Sequence, residues 1–194
     1  MNEKEVVLKK VKEAVKLLEK CKKFSKLMPE VRVNIVYALP DAKTSMDVVA
    51  VDGRITVVKG YPKACGDVIF GASDHMARLI IEVRKYDESI RAGINFKYTL
   101  EIKEKIEQFC KEENLSLGYI DRRKEPEEVI EKDQQSMPWK IKYLFDNYRK
   151  IPTIFYESEG WGKEPLFVIV GKDPKEVVNS AIKISQKLFL DEKH

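Results

Sequence analysis

The chain has 194 residues, 43% of them hydrophobic, and carries 36 basic and 32 acidic side chains for a net charge of +4, enough for one sizeable core and short for two. The two signs are interspersed rather than gathered into a basic arm, which argues against nucleic acid as a partner, and no apolar run approaches the roughly 20 residues that cross a bilayer. Three cysteines, Cys21, Cys65 and Cys110, are odd in number and widely spaced, so they suggest neither a disulfide framework nor a zinc knuckle and fit a reducing, cytoplasmic compartment.

In chain order, residues 3 to 27 set Val7, Val11, Ala14, Leu18 and Cys21 at spacings of four and three among lysines and glutamates. This predicts an amphipathic helix within an N-terminal segment, residues 1–28, that stops at Met28-Pro29. Its apolar stripe fits either the chain's own core or a second copy in a homodimer. The segments 31–39, 47–50 and 53–59 are rich in Val and Ile and bounded by Asp, Gly or Pro, so they read as strands. Asp52-Gly53 favours a tight hairpin turn, which puts Arg54 at a strand start.

A second helix follows Gly71-Ala72-Ser73-Asp74-His75, with Ser73 or Asp74 as its cap. Residues 91–98 alternate as a strand, 100–111 place Ile102, Ile106, Phe109 and Cys110 on one helical face, and 115–120 form another strand. Between Asp121 and Lys150, Pro126 and Pro138 divide two short helices joined by loop. Residues 153–156 and 166–170 read as strands about a turn, and Asp173-Pro174 opens the last helix. Strands occurring both as neighbours and between helices imply one domain, 1–194, with a mixed sheet in a three-layer α/β/α arrangement rather than a plain βαβ alternation.

Three groups of residues suggest a site for an anion. Gly71, Ser73, Asp74 and His75 lie at a helix start, where free backbone N–H groups attract phosphate; an ordinary capped helix with a surface histidine accounts for them equally. The turn Gly160-Trp161-Gly162-Lys163-Glu164-Pro165 resembles a phosphate loop, but Glu157 and Glu164 stand where a Walker motif requires Gly and Ser or Thr. Asn34, Arg54, Arg91, Asn95, Asp121 and Arg122 sit at strand ends, and arginines clamp phosphate oxygens as a fork. Only two histidines occur, one terminal, so a multi-histidine zinc site cannot be assembled.

Together, Pro29-Glu30-Val31 with Asn34, Asp47-Val48, Gly53-Arg54-Ile55, Phe70-Gly71-Ala72-Ser73-Asp74-His75-Met76-Ala77-Arg78, Ile90-Arg91-Ala92 with Asn95, and Gly162-Lys163-Glu164-Pro165 resemble the ThiN family over residues 25–180. The resemblance implies a class II aldolase-like fold without the metal histidines. It also implies thiamine-phosphate synthase activity on phosphorylated small molecules, in which Arg54 and His75 act catalytically, Arg54 with Mg²⁺ on the diphosphate, and Arg91 and Lys163 meet the thiazole phosphate. It further implies a hydroxymethylpyrimidine-phosphate kinase domain ahead of this one in a longer polypeptide, or a helix-turn-helix domain in regulators. One departure stands out: Glu157-Ser158-Glu159-Gly160-Trp161 replaces the family's aspartate and glycines. Two rival functions share the pocket, a non-catalytic thiamine-phosphate sensor and a lyase acting on a sugar phosphate.

Overall fold

The computed structural model describes residues 2–132, 134–158 and 163–190. Helix α1, Glu3–Glu19, starts with a capping box in which Asn2 and Glu5 satisfy each other's backbone N–H groups. It stops earlier than the stripe suggests: Cys21 leaves helical geometry and Lys22–Leu27 winds as a 3₁₀ turn. A spacing of three serves either helix type, and the tighter turn is the one that sinks Phe24 and Leu27 completely. The stripe proposed for a second copy is spent at home, with Val7, Val11, Ala14 and Leu18 fully buried in the core.

Among the described residues nine strands follow: β1 Ile35–Ala38, β2 Val48–Val51, β3 Ile55–Val58, β4 Tyr61–Ala64, β5 Val68–Phe70, β6 Ala92–Lys97, β7 Leu117–Ile120, β8 Ile154–Glu157 and β9 Leu166–Gly171. Seven of them make a mixed sheet in the order β5-β2-β1-β6-β9-β8-β7, with β7 and β8 its parallel pair. The remaining helices are α2 His75–Arg84, α3 Leu100–Glu112, α4 Glu127–Ile130, α5 Ser136–Tyr148 and α6 Pro174–Leu188. Helices α1, α3 and α6 cover one face of the sheet and α2 and α5 the other, each closing its own hydrophobic core. The arrangement is a three-layer α/β/α fold. Among the described residues no helix is long and apolar enough to cross a membrane.

The Asp52-Gly53 turn does not pair β2 with β3. Strand β2 lies between β1 and β5, while β3 leaves the main sheet and pairs with β4. Backbone bonds from Asp52 to Asp67 and from Cys65 to Arg54 keep the two ribbons continuous through the bend. The tight hairpin falls at Lys59-Gly60 instead, both at positive φ, directly opposite the pair Val58 and Tyr61. Strands β4 and β5 have no counterpart in the sequence reading; Pro62 in β4 masks the signal, and an isolated two-strand ribbon is where proline is tolerated.

Candidate active site

The site begins where β1, β2 and β6 end together. Asn34 is buried, and its side-chain oxygen accepts from the N–H groups of Val51 and Ile35, both at 2.9 Å, while its amide donates to the Val51 carbonyl at 3.0 Å. Asn95 on β6 accepts from the Asn34 N–H at 2.9 Å and donates to the Arg32 carbonyl at 3.0 Å. Both asparagines line the cavity, but their polar groups are committed to the main chain of the opening strands.

Arg54 follows from the same point, one residue beyond Gly53, and both residues hold positive φ. A left-handed arginine is uncommon and needs support from its surroundings. That support comes from the loop before β1, where the guanidinium donates to the Val31 carbonyl. The loop is fixed in turn by Glu164, whose two oxygens accept from the Glu30 and Val31 N–H groups at 3.0 Å each. The Glu164-Pro165 end of the glycine-rich motif and the Pro29-Glu30-Val31 motif are thus hydrogen-bonded to each other although Glu164 and Glu30 lie 134 residues apart. Residues 159–162, the Glu-Gly-Trp-Gly part of that turn, lie outside the described residues.

Gly71 takes φ +72° at the end of β5, a conformation that favours glycine; a Cβ there would meet only the end of the exposed, flexible Met46 side chain. Its N–H bonds to Val48 at the far end of β2, and it shapes the turn rather than lining the cavity; Ala72, Ser73, Asp74 and His75 do line it. Asp74 is the cap position of α2 but makes no capping bond, pairing with Arg78 at 2.9 Å. His75 is exposed at the cavity edge, with protein packed around the inner side of its ring. That desolvation, reinforced by the positive charge of Lys140, lowers its pKa from 6.5 to about 4. The imidazole is therefore neutral near pH 7.

At the inner end of the site Lys140 and Glu157 join Arg122, the one residue there that the sequence put forward as a candidate. Glu157, the last residue of β8, pairs with Lys140 of α5 at 2.6 Å and with Arg122 at 3.4 Å. The Lys140 side chain is 5% exposed and that of Arg122 9%, and burial pulls the Lys140 ammonium below its ordinary value against the pull of Glu157. Arg122 also grips the fully buried Glu125 at 2.6 Å, which accepts from Ser136. A closed set of paired charges results, consistent with the rule that buried charge is tolerated only when partnered.

These walls enclose a cavity of about 310 Å³ that Arg54 and His75 both line, together with Arg32, Asn34, Ser73, Asp74, Asn95, Glu157, Lys163 and Glu164. Four residues named from the sequence lie elsewhere. Gly71 makes the turn described above. Arg91 sits at the opposite end of the sheet, donating to the Ala38 carbonyl at 2.9 Å and stacking on Tyr37. Asp121 caps the short 3₁₀ turn 122–124 and pairs with Arg123 at 2.8 Å, and Arg122 reaches the cavity only through Glu157. Among the described residues no group of three or more His, Cys, Asp or Glu side chains is placed to hold a metal ion.

The family model for thiamine-phosphate synthase ThiN matches residues 10–183. A thiamine-phosphate synthase ThiN from Methanothermobacter thermautotrophicus is 37% identical over 180 residues, 93% of each chain. A bifunctional thiamine biosynthesis protein ThiDN from Methanocaldococcus jannaschii is 35% identical over 187 residues, 96% of this chain and 42% of that protein's length. The crystal structure of the C-terminal domain of a phosphomethylpyrimidine kinase superposes with a TM-score of 0.88 at 35% identity, covering 93% of this chain and 98% of that one. For the fold alone, an aldolase/epimerase/decarboxylase-like protein of Klebsiella pneumoniae superposes with a TM-score of 0.50 at 13% identity, covering 98% and 90%. With a model that spans most of the chain and a relative of matching length, this chain belongs to the thiamine-phosphate synthase ThiN family.

Proposed function

We propose that the protein condenses hydroxymethylpyrimidine pyrophosphate with hydroxyethylthiazole phosphate in the 310 Å³ cavity, releasing thiamine monophosphate and pyrophosphate. The observation that carries this reading is the meeting of Arg54 and His75, from separate segments, on one concave surface that also bears Arg32 and Lys163. Both substrates are anions, and cations set in a protein-walled concavity attract them more strongly than the same cations in open water.

In the reaction the C–O bond between the pyrimidine methylene and the diphosphate breaks, its electron pair leaving on the diphosphate oxygen. The thiazole nitrogen then supplies the pair that forms the C–N bond. Negative charge grows on the leaving group while a cation-like centre grows on carbon, so fixed cations on one side and exclusion of water on the other lower the barrier. Arg54, held by the Val31 carbonyl, neutralises the diphosphate. His75, neutral near pH 7, donates an N–H to a phosphate oxygen beside the start of α2, where the helix dipole favours an anion. Lys163 holds the second phosphate. Mg²⁺, carried in by the diphosphate as its counter-ion, would add to the neutralisation of the leaving group beside Arg54.

The test is turnover: the purified chain is mixed with both phosphorylated halves and Mg²⁺, and thiamine monophosphate and pyrophosphate are assayed. Stoichiometric formation of both supports the synthase. No product, with tight binding of thiamine monophosphate by calorimetry, assigns the cavity to a sensor instead.

A further inference from the structure

The site is graded along its length. A shallow outer depression shares Val31, Arg32, Arg54 and Ala72 with the main cavity. The main cavity in turn shares His75, Met76, Glu157 and Leu166 with a small inner recess of about 30 Å³. Exposed cations therefore mark the outer end, whereas the inner end offers the Glu157 carboxylate with its paired Lys140 and an apolar recess walled by Leu79, Met137, Ile141, Phe155 and Val168. A phosphate at the inner end would find Lys140 and Arg122 already paired with Glu157 and the remaining walls apolar. The inner end thus suits the uncharged part of a substrate.

We propose that this inner end seats the aminopyrimidine ring, with the Glu157 carboxylate accepting the N–H of its exocyclic amine. The assignment rests on the synthase reading and deepens it. Of the two rings, only the pyrimidine carries an N–H donor, and Glu157 is the acceptor placed to receive it. Lys140 and Arg122 both bind Oε2 of Glu157, and among the described residues no donor is bonded to Oε1. Lys140 is then a positioning residue, holding the carboxylate by one oxygen so that the other meets the substrate. The recess has room for about one methyl-sized group and not for a ring, so the ring's methyl enters it while the ring stays in the main cavity.

The placement has a chemical consequence. An amine that donates to a carboxylate releases electron density into its ring, which stabilises the cation-like methylene as the C–O bond to diphosphate breaks. The amine keeps its proton throughout. Glu157 thereby both selects the pyrimidine and assists its ionisation, from the end of the cavity opposite the diphosphate cations.

The test compares the aminopyrimidine diphosphate with its 4-methoxy analogue, which has no N–H at that edge. Loss of a hydrogen bond to a charged group corresponds to about tenfold or more, so the wild-type protein is expected to prefer the amino compound by at least about tenfold in kcat/KM. Glu157→Gln narrows that ratio to about threefold or less and leaves KM for the thiazole phosphate unchanged, because the effect is confined to one subsite. Equal use of the two pyrimidines by the wild type overturns the proposal even where the variant fails to fold, and a folded Glu157→Gln that keeps the full preference overturns the role of Glu157. Calorimetric binding of the amino and methoxy pyrimidine monophosphates separates this from the activity itself. A retained amino preference without turnover removes the synthase and leaves the subsite standing.

Discussion

Glu164 reaches Arg54 through a single residue: it accepts the Val31 N–H at 3.0 Å, and the Val31 carbonyl accepts from the Arg54 guanidinium. The glutamate is therefore a positioning residue for the arginine, although the two lie in motifs far apart in the chain. Glu164→Ala is expected to lower kcat/KM for the pyrimidine diphosphate by about tenfold, the scale of one charge-assisted hydrogen bond, with a small change in thermal midpoint because the bonded loop is exposed. Glu164→Gln, which keeps an acceptor for one of the two N–H groups, recovers part of the loss. Wild-type kinetics in Glu164→Ala would remove it from the positioning chain.

Arg54 itself is placed to neutralise charge that grows during the reaction. Groups of that kind cost a few kcal/mol when removed, so Arg54→Ala is expected to reduce turnover by more than about tenfold. Arg54→Lys restores little, since an ammonium lacks the fork that grips both a phosphate oxygen and the Val31 carbonyl. Steady-state rates with saturating substrates check this, and unchanged turnover excludes Arg54 from the chemistry.

For His75 the sign of the pH effect is set by its lowered pKa, about 4 in the folded chain against 6.5 for the free side chain. Between these values the unfolded chain binds the proton and the folded one does not. Stability therefore rises with pH across the window from about 4 to 6.5, and the His75 penalty is absent above it. The expected NMR titration of the His75 ring, assigned by its loss in His75→Gln, has its midpoint near 4. Lys140→Met moves the midpoint upward by removing a repelling charge and freeing Glu157. A midpoint near 6.5 in the wild type would contradict the desolvated placement of the ring.

Arg91 separates a residue's place in a motif from its place in the site. Stacked on Tyr37 and paired with Glu3 at 3.5 Å, it stands at the end of the sheet away from the cavity. Arg91→Ala is expected to leave KM for both substrates within about twofold while lowering stability by about 1 kcal/mol, the scale of a cation–π contact with a neutral hydrogen bond. A large rise in KM for the thiazole phosphate would return Arg91 to the ligand.

Much of the layer architecture was legible because periodicity reports it: Ile102, Ile106, Phe109 and Cys110 face one core, and Val177, Val178 and Leu188 face it from α6, with Ile182 half-buried at its edge. Pairing partners were harder to read, since Asp52-Gly53 looks like a hairpin locally but its strands are claimed by β1, β5 and β4. On the site, Arg54 and His75 were candidates from their places at a strand start and a helix start and took a catalytic role from the family motifs, whereas Glu157 entered only as a departure from motifs. Lys140 did carry a signal, a charge on the inward stripe of α5 between Met137, Ile141 and Leu144. Among so many lysines it is recognisable only once the stripe is known to be buried.

The asparagines at the strand openings give a test in which structure and ligand binding make opposite predictions. If Asn34 served mainly to bind substrate, its removal would raise KM and leave stability alone. The hydrogen bonds indicate otherwise: Asn34→Val strands the N–H groups of Val51 and Ile35 and the Val51 carbonyl, each costing about 1–3 kcal/mol when buried without a partner. A loss of about 3 kcal/mol or more is expected in urea unfolding, with an unchanged m-value if the transition stays two-state. Asn95→Ala frees the Asn34 N–H and the Arg32 carbonyl, so the double variant should depart from additivity by at least about 0.5 kcal/mol, as residues in one network do. Strict additivity would mean that the two side chains support their strands independently, and that the opening of β1 does not depend on their shared contact.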